Sequence, residues 1–277
     1  IARRELADGR VRLDAEAGED WDAFVTACVA DGLAGVECLA GIPGAVGATP
    51  IQNVGAYGQE VADTILGVRA LDRRSGEVAA LDPEDCGFAY RSSVFKREPG
   101  RWVVLCVAFA LERSAGSMPV RYAELARTLG VRPGRSAPLA DVRSAVLGLR
   151  RRKGMVLDPR DPDTVSAGSF FTNPVLDAAA IEDLRTRADA QPPAWPQEDG
   201  TVKTSAAWLI ERAGFQRGHG DPAGIAISSK HTLALTNRGG GTTAALVALA
   251  REITGGVRDA FGVDLVPEPV FVGHRWD

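Results

Sequence analysis

Apolar positions at helical spacing mark the first clear element of the chain. In residues 19–33, EDWDAFVTACVADGL, the residues Trp21, Phe24, Val25, Cys28 and Val29 share one face, acidic residues fill the first turn, and Gly32 follows as a stop. The spacing predicts an amphipathic helix. From Leu66 to Leu111 the period shortens to β-type runs, Gly67-Val-Arg-Ala-Leu and Trp102-Val-Val-Leu-Cys-Val-Ala-Phe, broken by turns at Arg73-Arg-Ser-Gly76 and Glu98-Pro-Gly100. A mixed sheet with hairpins is expected there. Residues 120–130 and 137–153 return to helical spacing, and the second segment ends in Arg150-Arg-Arg-Lys153, which on pattern alone is a solvated basic helix terminus. Beyond Asp158-Pro-Arg-Asp-Pro162 helices are expected near 177–189, 204–213 and 242–260, with one strand from Ala223 to Thr236. This change of pattern sets a domain boundary near residue 155.

Two glycine-dense stretches stand apart from the periodic segments, Gly41-Ile-Pro-Gly-Ala-Val-Gly47 and Ile51-Gln-Asn-Val-Gly-Ala-Tyr-Gly58. They are expected to be constrained loops, because glycine permits positive backbone dihedrals and close approach to a ligand. Pro192-Pro193 and Pro196 suggest a surface loop, and Gly239-Gly-Gly241 a hinge-like turn before the last helix. No repeat or long low-complexity tract is present.

Length and composition change this picture little. With 277 residues, 45% hydrophobic and 25% charged, the chain suits a globular protein of about two domains. A net charge of -4 leaves no broad basic field, which argues against nucleic acid held by phosphate attraction. Cys28, Cys38, Cys86 and Cys106 form neither a C-x-x-C pair nor a metal-finger spacing, so they are expected to be reduced, partly buried thiols of a cytoplasmic protein, with no metal site. No run approaches the roughly 18 to 20 apolar residues of a membrane span. The start, Ile-Ala-Arg-Arg-Glu, is not a secretory signal, and without an initiating Met the sequence is expected to be part of a longer chain.

Four segments carry candidate chemistry. The glycines at 41, 44 and 47 would let backbone N–H groups approach a pyrophosphate, although neither the dinucleotide G-x-G-x-x-G nor the P-loop pattern is present and a structural turn is the commoner explanation. Tyr90-Arg91-Ser92-Ser93-Val94-Phe95-Lys96 gathers an aromatic, a guanidinium and hydroxyls, or is simply a turn with solvated charges. Ala167-Gly168-Ser169-Phe170-Phe171-Thr172-Asn173-Pro174 sets a hydroxyl beside paired aromatics, which could equally be a buried Phe pair at a strand entrance. Val266-Pro267-Glu268-Pro269-Val270-Phe271-Val272 fixes a carboxylate between prolines in an apolar strand, where burial without a partner is costly. Sequence spacing does not bring these segments together.

Taken in order, GIPGAVG, PIQNVGAYG, YRSSVFK, AGSFFTNP, the Ala206–Ala213 helix, SSKH and VPEP resemble the UDP-N-acetylenolpyruvoylglucosamine reductase family over nearly the whole chain. The resemblance implies an α+β flavoprotein of the vanillyl-alcohol oxidase type, with an FAD-binding lobe and an α+β substrate lobe. It assigns residues 1–154 to the second subdomain of the FAD lobe, 155–264 to the substrate lobe, and 265–277 to a strand returning to the FAD lobe. The family's upstream glycine-rich pyrophosphate loop is not among these residues, so the first FAD subdomain is expected to be largely missing. The tyrosine loop at Met118–Gly130 is similar to that of the longer family type.

The implied reaction passes hydride from NADPH to the flavin, then to C3 of the enolpyruvyl group of UDP-N-acetylenolpyruvoylglucosamine, with a proton delivered to C2. This makes UDP-N-acetylmuramate for peptidoglycan. By resemblance Arg91 and Glu268 would stabilise the enolate-like intermediate, and Ser169 would supply the proton. The lining for FAD would be Gly41, Ile42, Pro43, Gly44, Gly47, Gln52, Asn53, Gly55, Ala56 and Tyr57. Tyr122, Lys153, Asn173, Arg217 and His231 would contact the UDP-sugar, with Arg217 standing where some relatives carry Lys and His231 where some carry Gln. A monomer without membrane or nucleic-acid partners is expected. The competing expectations are another oxidase of the same flavin fold, and a flavin-free module that binds nucleotide sugars.

Overall fold

The computed structural model describes residues 1–276, and its contacts divide the chain into two compact units, 1–152 and 153–277. In the first unit the order is β1 (Ala2–Glu5), β2 (Val11–Glu16), α1 (Trp21–Ala30), β3 (Leu33–Ala34), β4 (Gly55–Ala56), β5 (Gln59–Glu60), β6 (Ile65–Asp72), β7 (Val78–Leu81), α2 (Pro83–Cys86), α3 (Val94–Arg97), β8 (Trp102–Arg113), α4 (Ala123–Leu129) and α5 (Leu139–Arg152). Strands run β1-β2-β8-β6-β7, all antiparallel, and β3 adds to the end of β8. The long β8 is central because VVLCVAFAL can be buried along most of its length, and residues 106–111 are all buried.

Helix α1 forms as its spacing predicts. Asp20 caps it by accepting from Ala23 N at 2.8 Å, and Gly32, at φ +68°, turns the chain out. Trp21, Phe24, Val25 and Cys28 are buried, and Trp21 and Phe24 meet Phe109 of β8 at ring distances of 6.0 and 5.0 Å. Trp21 satisfies its indole N–H on Leu39 O at 3.1 Å.

The second unit contains β9 (Ser166–Ser169), β10 (Val175–Leu176), α6 (Ala178–Arg187), β11 (Ala194–Pro196), β12 (Val202–Thr204), α7 (Ala206–Arg212), β13 (Ile225–Ile227), β14 (Ala234–Asn237) and α8 (Thr243–Phe261). Two small antiparallel sheets, β10-β12-β11 and β13-β14-β9, share a core with the helices that includes Phe171, Leu184, Leu209, Ile227 and Ile253. The four cysteines are free and buried. Among the described residues no helix is long and apolar enough to cross a membrane, and no cluster of His, Cys, Asp or Glu could hold a metal ion.

Several expectations are corrected. The single strand over 223–236 is a hairpin, β13 and β14, because Ser228-Ser229-Lys230-His231 turns the chain and Ser228 N donates to Ala234 O at 2.8 Å. The proline loop contributes an edge strand, β11, which tolerates Pro196 because an edge leaves one side of the backbone unpaired. Gly239–Gly241 is tied rather than hinged. Asn237 Oδ1 accepts from Gly239 N and Gly241 N, and a Cβ on Gly241 would stand 2.2 Å from Ile225 Cδ1. The VPEP segment forms no regular strand. Its pairing is one bridge, Phe171 to Pro267, closed by Glu268 N donating to Phe170 O at 2.8 Å and Thr172 N donating to Val266 O at 3.0 Å, since Pro267 and Pro269 cannot donate to a longer ladder. These partners of the 265–277 segment lie in the second unit.

Candidate functional site

The second glycine loop and the YRSSVFK turn form one assembly in the first unit. Arg91 Nη2 donates to Gly55 O at 2.7 Å and Arg91 Nη1 to Asn53 O at 3.5 Å. Lys96 Nζ reaches Gln52 Oε1 at 3.3 Å and Arg91 O at 3.2 Å, and Ser93 Oγ donates to Ile51 O. Among the described residues, positive φ outside glycine occurs at Asn53 (+48°), Tyr57 (+53°) and Arg91 (+52°), each of which the sequence marked as a site residue. Such backbones cost on the order of 1–3 kcal/mol apiece and persist where surrounding bonds over-determine them.

Not every expected lining residue is available to a ligand. The Asn53 amide donates to Glu60 Oε2 (2.6 Å) and Ala89 O (3.2 Å), and its carbonyl accepts from Ala62 N (3.1 Å), so this buried side chain is committed to the scaffold. Gly47 is glycine for packing: a Cβ there would stand 2.4 Å from Ala17 Cβ. Gly44 is the opposite case. It is exposed, has φ +118°, and nothing lies within 4 Å of where its Cβ would be, so a ligand can approach its backbone directly. That open turn, with Ile42 and Pro43 before it, fits the approach of a flavin nucleotide.

Residues that sequence reasoning passed over hold this turn. Gly41 N donates to Asp22 Oδ1 at 2.7 Å, and Arg143 Nη2 donates to Asp22 Oδ2 at 3.3 Å. Arg150 Nη2 donates to Gly41 O at 3.3 Å. Arg150 is therefore not the solvated terminus its basic run suggested. It is half-buried, and burial lowers its pKa against the opposing pull of Tyr57 and Asp22. Arg143 and Arg150, seven positions apart, lie on one face of α5, a signal the run itself hid.

Tyr57 meets Tyr122 edge to face at 5.4 Å, and burial pushes the Tyr57 phenol up to about 12. Tyr122 itself is 42% exposed at the start of α4. Beside them lies a cavity of about 240 Å³ whose lining includes Tyr57, Gly58, Gln59, Thr64, Met118 and Arg121. That is below the roughly 300–1,000 Å³ of typical small-ligand pockets, enough for part of a ligand only. Glu37, fully buried, accepts from two of the lining residues, Gly35 N (2.6 Å) and Met118 N (2.8 Å), anchoring the start of the tyrosine loop.

In the second unit, Ser169 ends β9 and its Oγ lies 3.4 Å from His231 Nε2. The His231 ring is held to a pKa of about 4, chiefly by burial and then by the positive charges of Lys153 and Arg217, with Glu211 opposing. Phe170 and Phe171, both buried with ring centroids 5.0 Å apart, fix the strand, and the Phe170–Glu268 backbone bond brings Glu268 beside the Ser169 strand. Asn173 Oδ1 accepts from Ala206 N at 3.0 Å, starting α7. Arg217 is exposed and lies 3.9 Å from Glu211. The turn bearing His231 is anchored by Asp163, which accepts from Ser229 N (3.1 Å) and Arg238 Nη2 (2.8 Å).

Comparison with known proteins places this geometry in a family. Residues 160–272 match the profile of the UDP-N-acetylenolpyruvoylglucosamine reductase C-terminal domain, and residues 2–82 that of an FAD binding domain. UDP-N-acetylenolpyruvoylglucosamine reductase of Thermobifida fusca is 58% identical over 280 residues, covering 99% of this chain and 78% of that protein. The Salinispora arenicola protein of the same name is 62% identical over 266 residues, covering 95% and 73%. The crystal structure of UDP-N-acetylenolpyruvylglucosamine reductase from Thermus caldophilus matches the fold with a TM-score of 0.58 at 23% identity, over 91% of this chain and 69% of that one. FAD is the cofactor these matches indicate. The chain belongs to the UDP-N-acetylenolpyruvoylglucosamine reductase family.

Proposed function

We propose that the protein reduces the enolpyruvyl group of UDP-N-acetylenolpyruvoylglucosamine with NADPH as reductant, making UDP-N-acetylmuramate for peptidoglycan. The observation that carries the chemical reading is the grouping around Ser169: a hydroxyl 3.4 Å from an imidazole on which two cations act, in a chain of this family. FAD, when bound, supplies hydride transfer between the nicotinamide and the double bond. Gly41, Ile42, Pro43 and Gly44 would offer it their backbone, with Gln52, Gly55, Ala56 and Tyr57 in the neighbouring loop.

Hydride arriving at C3 leaves charge on C2 and the adjoining carboxylate, which calls for a cationic clamp and an acid. Arg91, its guanidinium steadied on the Gly55 carbonyl, supplies a charge-assisted donor. Glu268, its backbone fixed between two prolines, would carry its proton and donate a hydrogen bond to the same charge, and Ser169 gives its proton to C2. Lys153, Arg217 and Asn173 meet the diphosphate and sugar, and Tyr122 covers the bound substrate. A monomer in the cytoplasm, where nucleotide sugars are made, completes the proposal.

The test measures NADPH oxidation by FAD-supplied protein with and without UDP-N-acetylenolpyruvoylglucosamine. Substrate-dependent oxidation is expected, with Ser169→Ala lowering kcat by roughly 10²–10⁴-fold, the usual contribution of a positioned acid. Oxidation indifferent to the substrate, or a fully active Ser169→Ala, would overturn the proposal.

A further inference from the structure

A serine hydroxyl has one proton, and where that proton points depends on its neighbour. If the imidazole nitrogen facing Ser169 is bare, the hydroxyl donates to it and its proton is turned away from any substrate. If that nitrogen carries hydrogen, Ser169 Oγ accepts and its own proton is free to be given elsewhere. The partner is fixed by backbone, because Ala234 of β14 pairs with Ser169 of β9 and donates its N–H to His231 O at 3.0 Å. His231 N donates to Ser228 Oγ at 3.3 Å, and Lys230 N to the same oxygen at 3.0 Å. The turn therefore carries the imidazole to Ser169 on a braced support rather than on a loose loop.

We infer that His231 is a positioning residue for Ser169, held as the Nε2–H tautomer and donating to Ser169 Oγ, so that the serine proton is directed to the reacting carbon. This rests on the reading of Ser169 as the proton donor. The charged groups acting on the ring are Lys153, Arg217 and Glu211; burial and the two cations outweigh Glu211 and keep the ring neutral near pH 7. A neutral ring orients the hydroxyl without competing as an acid.

In the step itself the Ser169 O–H bond breaks and a C–H bond forms at C2 from the enolate electron pair. The negative charge passes to Oγ. The Nε2–H donor of His231 stabilises that alkoxide until a solvent water returns a proton.

The first readout is structural. The chain has three histidines, so multiple-bond ¹H–¹⁵N NMR of labelled protein, with His231→Gln to assign the signal, reports the tautomer directly. An Nε2–H ring that does not titrate between pH 5.5 and 8 is expected; an Nδ1–H ring, or one titrating near its ordinary value, would overturn the inference. The second readout is kinetic. His231→Gln, which retains an N–H donor, should keep kcat within about fivefold, whereas His231→Leu should lower kcat roughly ten- to a hundredfold with KM within about threefold, the size of one hydrogen bond to a charged group. Circular dichroism melts establish that both variants fold. His231→Leu at the full rate beside an inactive Ser169→Ala sinks this inference alone, while a fully active Ser169→Ala sinks the proton-donor reading and this inference with it.

Discussion

Glycine does two different jobs in the GIPGAVG turn, and single substitutions separate them. At Gly47 a methyl group would collide with Ala17, 2.4 Å from its Cβ and 2.9 Å from its Cα, so Gly47→Ala should destabilise the protein by about 1–3 kcal/mol in urea denaturation. At Gly44 the space is open and only the backbone, at φ +118°, resists a side chain. If the proposed FAD site is right, Gly44→Ala should therefore show its larger effect in weaker FAD binding, measured by flavin fluorescence. His231 makes a separate prediction about pH. Its folded pKa, about 4, lies below the unfolded value near 6.5, so the unfolded chain takes the proton first and stability is lost as pH falls through that window. The loss is on the order of 3 kcal/mol over the full window. Urea midpoints at pH 7.5 and 4.5 should converge between wild type and His231→Gln; a pH-independent difference would show that the ring is not held neutral.

At the scale of elements, α5 acts as a clamp on the GIPGAVG turn through Arg143, Asp22 and Arg150, which together fix both the N–H and the C=O of Gly41. Arg143→Ala should weaken FAD binding about tenfold, the cost of roughly one hydrogen bond to a charged group, while far-ultraviolet circular dichroism stays unchanged; unaltered affinity would make the clamp a packing contact only. Elements with strong periodicity were legible from sequence. Helix α1 and its glycine stop, β6 and β8, and α8 all lie close to where spacing predicts them. The misjudged elements share a physical reason: their fate is set by partners distant in sequence. The strand expected over 223–236 breaks at Ser228–His231 because Asp163 and the β9 edge claim that turn. Arg150 turns inward because Gly41 is there to accept from it. The proposed site residues came from family resemblance rather than from spacing, and the residues missed, Asp22, Glu37, Arg143 and Asp163, are supports whose role exists only once the loops are folded.

For the whole molecule, the two units have separate cores, one built on Trp21, Phe24 and Phe109 and the other on the Phe170–Phe261 cluster. Units with separate cores need not unfold together, so calorimetry should show two transitions rather than one. FAD at a hundredfold over its Kd stabilises what binds it by about 2.7 kcal/mol. The transition of the 1–152 unit should accordingly rise by about 5–10 °C while the other stays put. A single transition that shifts as a whole would mean that the two cores are cooperatively linked.

The positive-φ backbones at Asn53, Tyr57 and Arg91 have an evolutionary consequence. Each is a place where glycine would relax the chain at once, so a library selected for heat tolerance alone should enrich glycine at 57 and 91, shedding the aromatic and the guanidinium together with the strain. Selection that also demands growth should forbid those same changes. The contrast between the two enrichment maps would mark, without any assay of the purified protein, which strained positions the cell retains for their side chains.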